Sequence, residues 1–331
     1  MSNKIRFGIL STAKIGRTQV IPAMRHCQYA EVAAIASNDK AKAEQTAAHL
    51  GITKAYGSYE ALLADPDIDA VYIPLPNHLH VPYTLKAMAA GKHVLCEKPI
   101  AINAAEAAQL LEAAQQYPYL KVMEAFMYRF HPQWQQAKQM VADGILGEVK
   151  HIHSIFSYTN LDAANIRNKP EAHGGALMDI GCYCIEWPRF IFGREPQRVT
   201  GLVYRDPVFK TDSLTSALMD FGNGYSAAFS CSTQLEPYQR VNIIGSKGRL
   251  EIEMPCNAPN DTPAHLWLQR DRVIEEIKTE TANQYTLQVD AFALAILNDI
   301  PVPTALTDAL DNMRVIDALL KSAEIGEWVD L

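Results

Sequence analysis

A doubly wound α/β domain followed by an α+β domain with a mainly antiparallel, open sheet is the fold class that this 331-residue sequence predicts. Three observations predict it. The first third alternates short apolar, β-branched runs with alanine-rich runs of helical length, the rhythm of parallel strands joined by crossover helices. From about Arg198 onward the pattern changes to strands separated by tight Gly/Asn turns, as in antiparallel hairpins. A chain of this length with 48% hydrophobic residues can fill two cores. The expected boundary puts residues 1–124 in the first domain and 125–331 in the second.

In chain order, strands are predicted at Arg6 to Leu10, Glu31 to Ala36, Ala70 to Pro74, His93 to Cys96 and Lys121 to Glu124. Helices are predicted at Gly16 to Met24, Lys40 to Leu50, His80 to Ala90 and Ala104 to Gln116. Gly51 and Gly91 follow two of these helices where a left-handed cap is wanted, and Asn103 is an N-cap for the last. Pro132 opens a further helix to about Val141, which Asp143-Gly144 ends. A strand from Glu148 to Tyr158 then starts the second sheet. Ser213 to Phe221 and Tyr225 to Thr233 form a hairpin around Gly222-Asn223-Gly224. Arg240 to Ile244 and Arg249 to Met254 form another around Gly245 to Gly248. Helices at Asn283 to Leu297 and Thr307 to Lys321 close the chain.

Charge narrows the function classes. A net charge of −7 and a pI near 5.8 disfavour nucleic-acid and anionic-membrane partners, both of which call for a basic face. No apolar run approaches the ~18 residues of a spanning helix, and the N-terminus reads straight into a strand, so a cytoplasmic protein acting on small molecules is expected. The cysteines at 27, 96, 182, 184, 231 and 256 lack CxxC pairing and read as reduced packing residues, with neither a disulfide framework nor a metal site.

The turn Gly8-Ile-Leu-Ser11-Thr12-Ala13-Lys14-Ile15-Gly16 lies between a strand and a helix, where the Rossmann fold sets a pyrophosphate against a helix N-terminus. Against G-x-G-x-x-G it reads Ser11-x-Ala13-x-x-Gly16, with small residues in place of two glycines. Ser11, Thr12, Ala13 and Ile15 are the candidate dinucleotide contacts. At the end of the next strand, a carboxylate would bind a ribose 2′-hydroxyl, and its absence leaves room for a 2′-phosphate. Ser37 and Asn38 occupy that position with Lys40 beside them, and Asp39 comes too late. The segment favours NADP and leaves NAD open; a plain turn with a helix cap is the alternative.

The loop Ile73-Pro74-Leu75-Pro76-Asn77-His78-Leu79-His80 ends another strand at the carboxyl edge of the sheet, where ligands of such sheets bind. Pro76, Asn77 and His80 are candidate cofactor residues, with Asn77 and His78 suited to the nicotinamide side; His80 reads alternatively as a helix start. The apolar strand His93 to Cys96 ends in Glu97-Lys98-Pro99. Oxidising a carbinol needs a group that takes the hydroxyl proton as hydride leaves carbon, and a lysine near pKa ~10.4 must be tuned downward to do so. An apolar strand end beside a positive nicotinamide disfavours the ammonium. In the second domain, His173-Gly174-Gly175 precedes Asp179 and Tyr183, which fall four apart on one helical face and can act as a pair.

With Glu97-Lys98-Pro99 at that strand end, the preceding turn and the Asn77-His78 loop, the sequence resembles the Gfo/Idh/MocA oxidoreductases over nearly its whole length. The resemblance implies that Lys98 sits beside the nicotinamide and the substrate hydroxyl, and Glu97 near the nicotinamide ribose. It also implies that Arg129, in Tyr128-Arg129-Phe130, reaches the cofactor, with an inter-domain ion pair as the alternative. Asp179 and the residue four later would contact the substrate and share proton transfer with the lysine. Tyr183 stands where many members have histidine. With Asn165-Ile166-Arg167 as a substrate segment, this is similar to the subgroup of dimeric dihydrodiol dehydrogenases, NADP-linked D-xylose dehydrogenases and anhydrofructose reductases. The implied substrate is a sugar or related cyclic diol. Specificity is expected on the loops Asn160 to His173 and Glu236 to Gln239. The small and hydroxylated residues of the second sheet fit burial in a homodimer or higher homo-oligomer. A non-catalytic, nucleotide-sensing regulator of the same fold is the rival reading, disfavoured by the joint presence of Lys98, Asp179 and Tyr183.

Overall fold

The computed structural model describes residues 4–331. They form two compact units, one running through Met127 and taking back Asn283–Leu310, the other made of Tyr128–Ala282 and Asp311–Leu331.

The first unit is built on six strands: β1 (Ile5–Leu10), β2 (Ala30–Ala36), β3 (Lys54–Tyr56), β4 (Ala70–Ile73), β5 (His93–Cys96) and β6 (Val122–Glu124). Every pairing is parallel and the order is β3-β2-β1-β4-β5-β6. Strands buried on both faces need no polar alternation, and β4 is buried at all four positions. The chain reverses its winding direction between β1 and β4, which opens a crevice at the carboxyl ends of those strands. The helix after β1 starts at Lys14, contains a π turn over Gly16–Val20 and ends in α1 (Ile21–Met24). Then come α2 (Lys40–Leu50), α3 (Tyr59–Leu63), α4 (His80–Ala89) and α5 (Ala104–Gln115). The predicted caps are realised: Asn103 accepts the Glu106 N–H at 2.8 Å, and Gly51 and Gly91 take φ of 63° and 73°. Strand β3 and helix α3 were not expected. Three residues are too few for an alternation to register, and α3 spans little more than one turn.

The returning segment departs from the contiguous division at residue 124. Its helix, Gln284–Leu297, buries Tyr285, Val289, Phe292 and Ala293. Phe292 packs on Phe7 of β1 with ring centroids 6.2 Å apart. The Thr286 hydroxyl donates to the Ala23 carbonyl at 3.0 Å, and the Asp290 carboxylate accepts the backbone N–H groups of Gln28 and Tyr29 at 3.0 and 2.9 Å. Periodicity announces such a helix but not which core receives it.

The second unit starts with α6 (Pro132–Ala142) and contains β7 (Val149–Thr159), then a π turn, Leu177–Gly181, leading into α7 (Cys182–Phe192). The remaining strands are β8 (Arg198–Arg205), β9 (Asp212–Asp220), β10 (Ser226–Ser232), β11 (Gln234–Gly245), β12 (Arg249–Ile252), β13 (His265–Arg270), β14 (Val273–Lys278) and β15 (Val329–Asp330). Their sheet runs β14-β13-β12-β11-β7-β10-β9-β8-β15 and is antiparallel except between β7 and β10. Both predicted hairpins are present, β9 with β10 and β11 with β12. One face buries Ile152, Phe156, Ala217, Phe229 and Val241 beneath α7 and an aromatic cluster of Tyr128, Trp134, Tyr183 and Trp187. The other face is open.

Replacing Asp290 with alanine removes the acceptor of two backbone donors. It is expected to destabilise the protein by about 1–2 kcal/mol in urea unfolding, and an unchanged midpoint would show that the returning helix is held without it.

Candidate active site

Each unit carries one set of candidate side chains. In the first, Glu97 and Lys98 are half-buried at the end of β5, and their backbone is fixed on both sides. The Glu97 N–H donates to the Ile73 carbonyl at 3.1 Å, continuing the β4–β5 ladder. The Lys98–Pro99 peptide is cis. Beyond it, the Ile100 N–H donates to the Glu124 carboxylate at 2.6 Å, and Glu124 is itself only 2% exposed at the end of β6.

His80, the first residue of α4, provides the third anchor. It is 1% exposed, and its two ring nitrogens lie 2.7 Å from the carbonyl oxygens of Pro99 and Leu75. Burial pulls its pKa down to about 4, against the opposite pull of those carbonyls. Predicted as a cofactor residue, His80 has no face open to a ligand. It clamps the Leu75 loop to the lysine segment from behind. Pro76 and Asn77 remain half-buried on that loop.

At the β1 end of the crevice, Ser11, Ala13 and Ile15 are half-buried and Thr12 is buried. Ser11 stands at φ 151°, a conformation suited to the glycine it replaces, and its hydroxyl accepts the Ala13 N–H at 2.9 Å. Gly16 is buried; a Cβ there would lie 3.7 Å from Pro74 and 3.9 Å from the Tyr72 ring. Small side chains, a strained turn and a helix start at the switch point together fit a dinucleotide pyrophosphate. At the end of β2, the buried Ser37 hydroxyl accepts the Asp39 N–H at 3.2 Å, while Asn38 and Lys40 are exposed. The Asp39 carboxylate caps α2 by accepting the Lys42 N–H at 3.1 Å. The exposed Lys40 ammonium lies 3.7 Å from the Glu44 carboxylate one turn on, at the solvent edge of this segment.

In the second unit the sequence-predicted constellation is assembled by two glycines. A Cβ on Gly174 would come within 2.3 Å of the Arg167 carbonyl, and one on Gly175, whose φ is 119°, within 1.9 Å of the Asp212 carboxylate. These close approaches let the Gly175 N–H donate to the Arg167 carbonyl at 2.8 Å and the Leu177 N–H to Asp212 at 2.6 Å. The Arg167 segment and the start of the π turn are thereby brought together. Arg167 Nε then lies 2.8 Å from Asp179 Oδ2, and the Tyr158 hydroxyl donates to the same oxygen at 2.6 Å. Tyr183 is 3% exposed, its ring packed against Tyr128 and Phe156. Arg129, predicted to reach the cofactor, makes an ion pair inside the second unit with the fully buried Glu186, and its guanidinium lies 5.2 Å from the Phe190 ring.

Sequence reasoning missed His80's clamping role, Glu124, Tyr158 and Asp212. The one available signal was a charged residue closing an apolar strand, which Glu124 shares with Glu97. Among the described residues, no group of three or more His, Cys, Asp or Glu side chains is placed to hold a metal ion.

Comparison with known proteins agrees with both halves. A family model described as "Oxidoreductase family, NAD-binding Rossmann fold" matches residues 5–126, and the GFO/IDH/MocA C-terminal domain matches 134–251. D-xylose 1-dehydrogenase (NADP(+)) 2 of Haloferax volcanii is 40% identical over 98% of this chain and 99% of its own. Trans-1,2-dihydrobenzene-1,2-diol dehydrogenase of Xenopus laevis is 34% identical over 75% and 74%. A 3-ketoreductase from Actinomadura kijaniata, solved with NADP and TDP-benzene, superposes with a TM-score of 0.91 at 29% identity, covering 97% of this chain and 98% of that one.

His80 generates a pH prediction. Its folded pKa of about 4 lies below the unfolded value, so it leaves stability unchanged above pH ~6.5 and lowers it as pH falls toward 4, because only the unfolded chain takes up the proton. In urea titrations between pH 7 and 4.5, His80→Asn is expected to reduce proton uptake on unfolding by about one. An unaltered pH slope would contradict the lowered pKa of the buried ring.

Proposed function

The chain belongs to the Gfo/Idh/MocA family of oxidoreductases, and from that premise we propose that it transfers hydride between NADP and a hydroxyl or carbonyl carbon of a sugar or related cyclic diol. The dinucleotide crevice of the first unit supports the cofactor, and the exposed Asn38 and Lys40 support the 2′-phosphate form. The names of the D-xylose and dihydrodiol relatives support the substrate class.

When bound, the nicotinamide supplies the hydride acceptor or donor. Ser11, Thr12, Ala13 and Ile15 would hold the pyrophosphate, Ser37 and Asn38 the adenosine ribose end, and Pro76, Asn77 and Glu97 the nicotinamide side. Lys98 takes the proton from the reacting hydroxyl during oxidation and returns it during reduction. Tyr183 is the second proton-handling group, with its hydroxyl on an otherwise packed ring. Asp179, held by Arg167 and Tyr158, orients a substrate hydroxyl, with Arg167 as a further substrate contact. The observation that carries this reading is the three-point fixing of the backbone around Lys98 by Ile73, Glu124 and His80. A lysine that only solvated a loop would need no such frame.

We further propose a homodimer through the open face of the second sheet. Leu202, Tyr204 and Leu218 are 79%, 58% and 49% exposed on adjacent strands of that face, beside the hydrogen-bonded pair Ser216 and Ser230. An apolar patch of this kind on a flat sheet is suited to a second copy. A cytoplasmic location is supported by six buried cysteines that form no disulfide among the described residues; among those residues no helix is long and apolar enough to cross a membrane.

Initial rates with NADP and with NAD, against aldoses, anhydroketoses, inositols and vicinal diols, test the activity. Lys98→Met is expected to lower kcat by about 10²–10⁴-fold with cofactor binding retained. Full turnover in that variant would remove the lysine from the reaction. Tight cofactor binding with no turnover across the panel would favour the nucleotide-sensing reading. In sedimentation velocity, Leu202→Glu is expected to convert a dimer to a monomer, and a parent protein that runs as a monomer would dismiss the interface.

A further inference from the structure

Tyr72 has no part in the chemistry above, yet it is the largest polar side chain buried in the first sheet, with no exposed surface. It sits on β4 across from Leu95 of β5, two residues before Glu97 on the same strand face. Its hydroxyl donates to Glu97 Oε1. One edge of the ring faces Gly16: a Cβ there would lie 3.9 Å from Tyr72 Cε1, and Gly16 closes the pyrophosphate turn. One ring therefore lies beside the phosphate turn along its edge and bonds a carboxylate through its oxygen.

Burial, and then the neighbouring Glu97 charge, push the Tyr72 phenol well above its ordinary pKa. It stays a proton donor at any working pH, and Glu97 is the acceptor. Phenylalanine would fill the core equally well, so packing alone does not call for the hydroxyl. A half-buried carboxylate at the carboxyl edge of β5 is suited to accept hydrogen bonds from ribose hydroxyls, and it does so selectively only when its own rotamer is fixed.

We propose that Tyr72 is a positioning residue for cofactor binding, its phenol holding Glu97 in the orientation that meets the nicotinamide ribose. This rests on the dinucleotide-binding reading. The test is direct titration of NADP and NADPH, by calorimetry and by nucleotide fluorescence, into the parent, Tyr72→Phe, Glu97→Ala and the double variant. Tyr72→Phe is expected to raise Kd about five- to tenfold with the melting temperature little changed. In the Glu97→Ala background the same change is expected to have less than about a twofold effect, because the interaction partner is gone. In steady state, KM for the cofactor should rise by the same factor while KM for the sugar stays.

Equal Kd values for parent and Tyr72→Phe would overturn the proposal. So would an undiminished effect in the Glu97→Ala background, which would assign the loss to ring packing. Should Tyr72→Phe fail to fold, Glu97→Asp and Glu97→Gln carry the test. Shortening the side chain out of reach of the phenol should weaken binding more than keeping an amide acceptor at full length, and the reverse order would sink the role. A parent protein that binds neither NADP nor NAD would overturn the dinucleotide reading itself, a result distinct from equal binding by parent and variant.

Discussion

Around Lys98 three strands end within a few residues of one another, and what holds the peptide there is a set of hydrogen bonds buried away from water. The Ile73 carbonyl, the Glu124 carboxylate and the His80 ring each take one point of the segment from Glu97 to Ile100. Such groups are costly to bury unless paired, and that cost makes the arrangement specific: another path for the backbone would strand a carboxylate and an imidazole in the core. The backbone that carries the amine is thus set by the Ile73 carbonyl and by two buried side chains, Glu124 and His80.

The second unit reaches the same end by a different route. Its frame is made by the absence of side chains, since Gly174 and Gly175 admit the Arg167 carbonyl and the Asp212 carboxylate where any Cβ would collide. The buried Asp212 accepts the Leu177 N–H at the entrance to the π turn. A π turn inside a helix shifts the phase of the residues on either side, and here it directs Asp179 toward Tyr158 and Arg167 while Tyr183 packs its ring into the aromatic core. Polar anchors in one unit and empty space in the other both remove rotational freedom from the groups that carry charge.

Most of the fold was legible because parallel strands and their caps are local signals: Asn103, Gly51 and Gly91 each do what their residue type does best. Strand β3 and helix α3 were too short to register, and the first core's claim on Gln284–Leu297 is a non-local fact that no window of sequence contains. In the site, Glu97-Lys98-Pro99, Arg167 and Asp179 could be picked out singly, since charged residues beside apolar runs and glycines stand out, but the pair expected was Asp179 with Tyr183, whereas Asp179 is held by Arg167 and Tyr158. His80 carried two readings, a cofactor residue and a helix start, and it is the buried first residue of α4; a histidine on a ligand loop and one buried beneath it share the same neighbours in sequence. Glu124, Tyr158 and Asp212 are single polar residues in ordinary strands, and only the tertiary register of the sheets reveals what they touch.

The return of Asn283–Leu310 to the first unit bears on how the chain acquires its structure during synthesis. On the ribosome, the dinucleotide-binding unit emerges first but lacks the helix that covers Phe7 and satisfies the Gln28 and Tyr29 amides. It cannot complete its core until Asn283–Leu310 has been made. The second unit closes later still, because its Asp311–Leu331 segment carries the fully buried Met313, Ile316 and Leu319 and the strand β15 that pairs with β8. The two units are interleaved in synthesis, and a polypeptide cut off before the returning helix leaves Phe7 and those two amides uncovered.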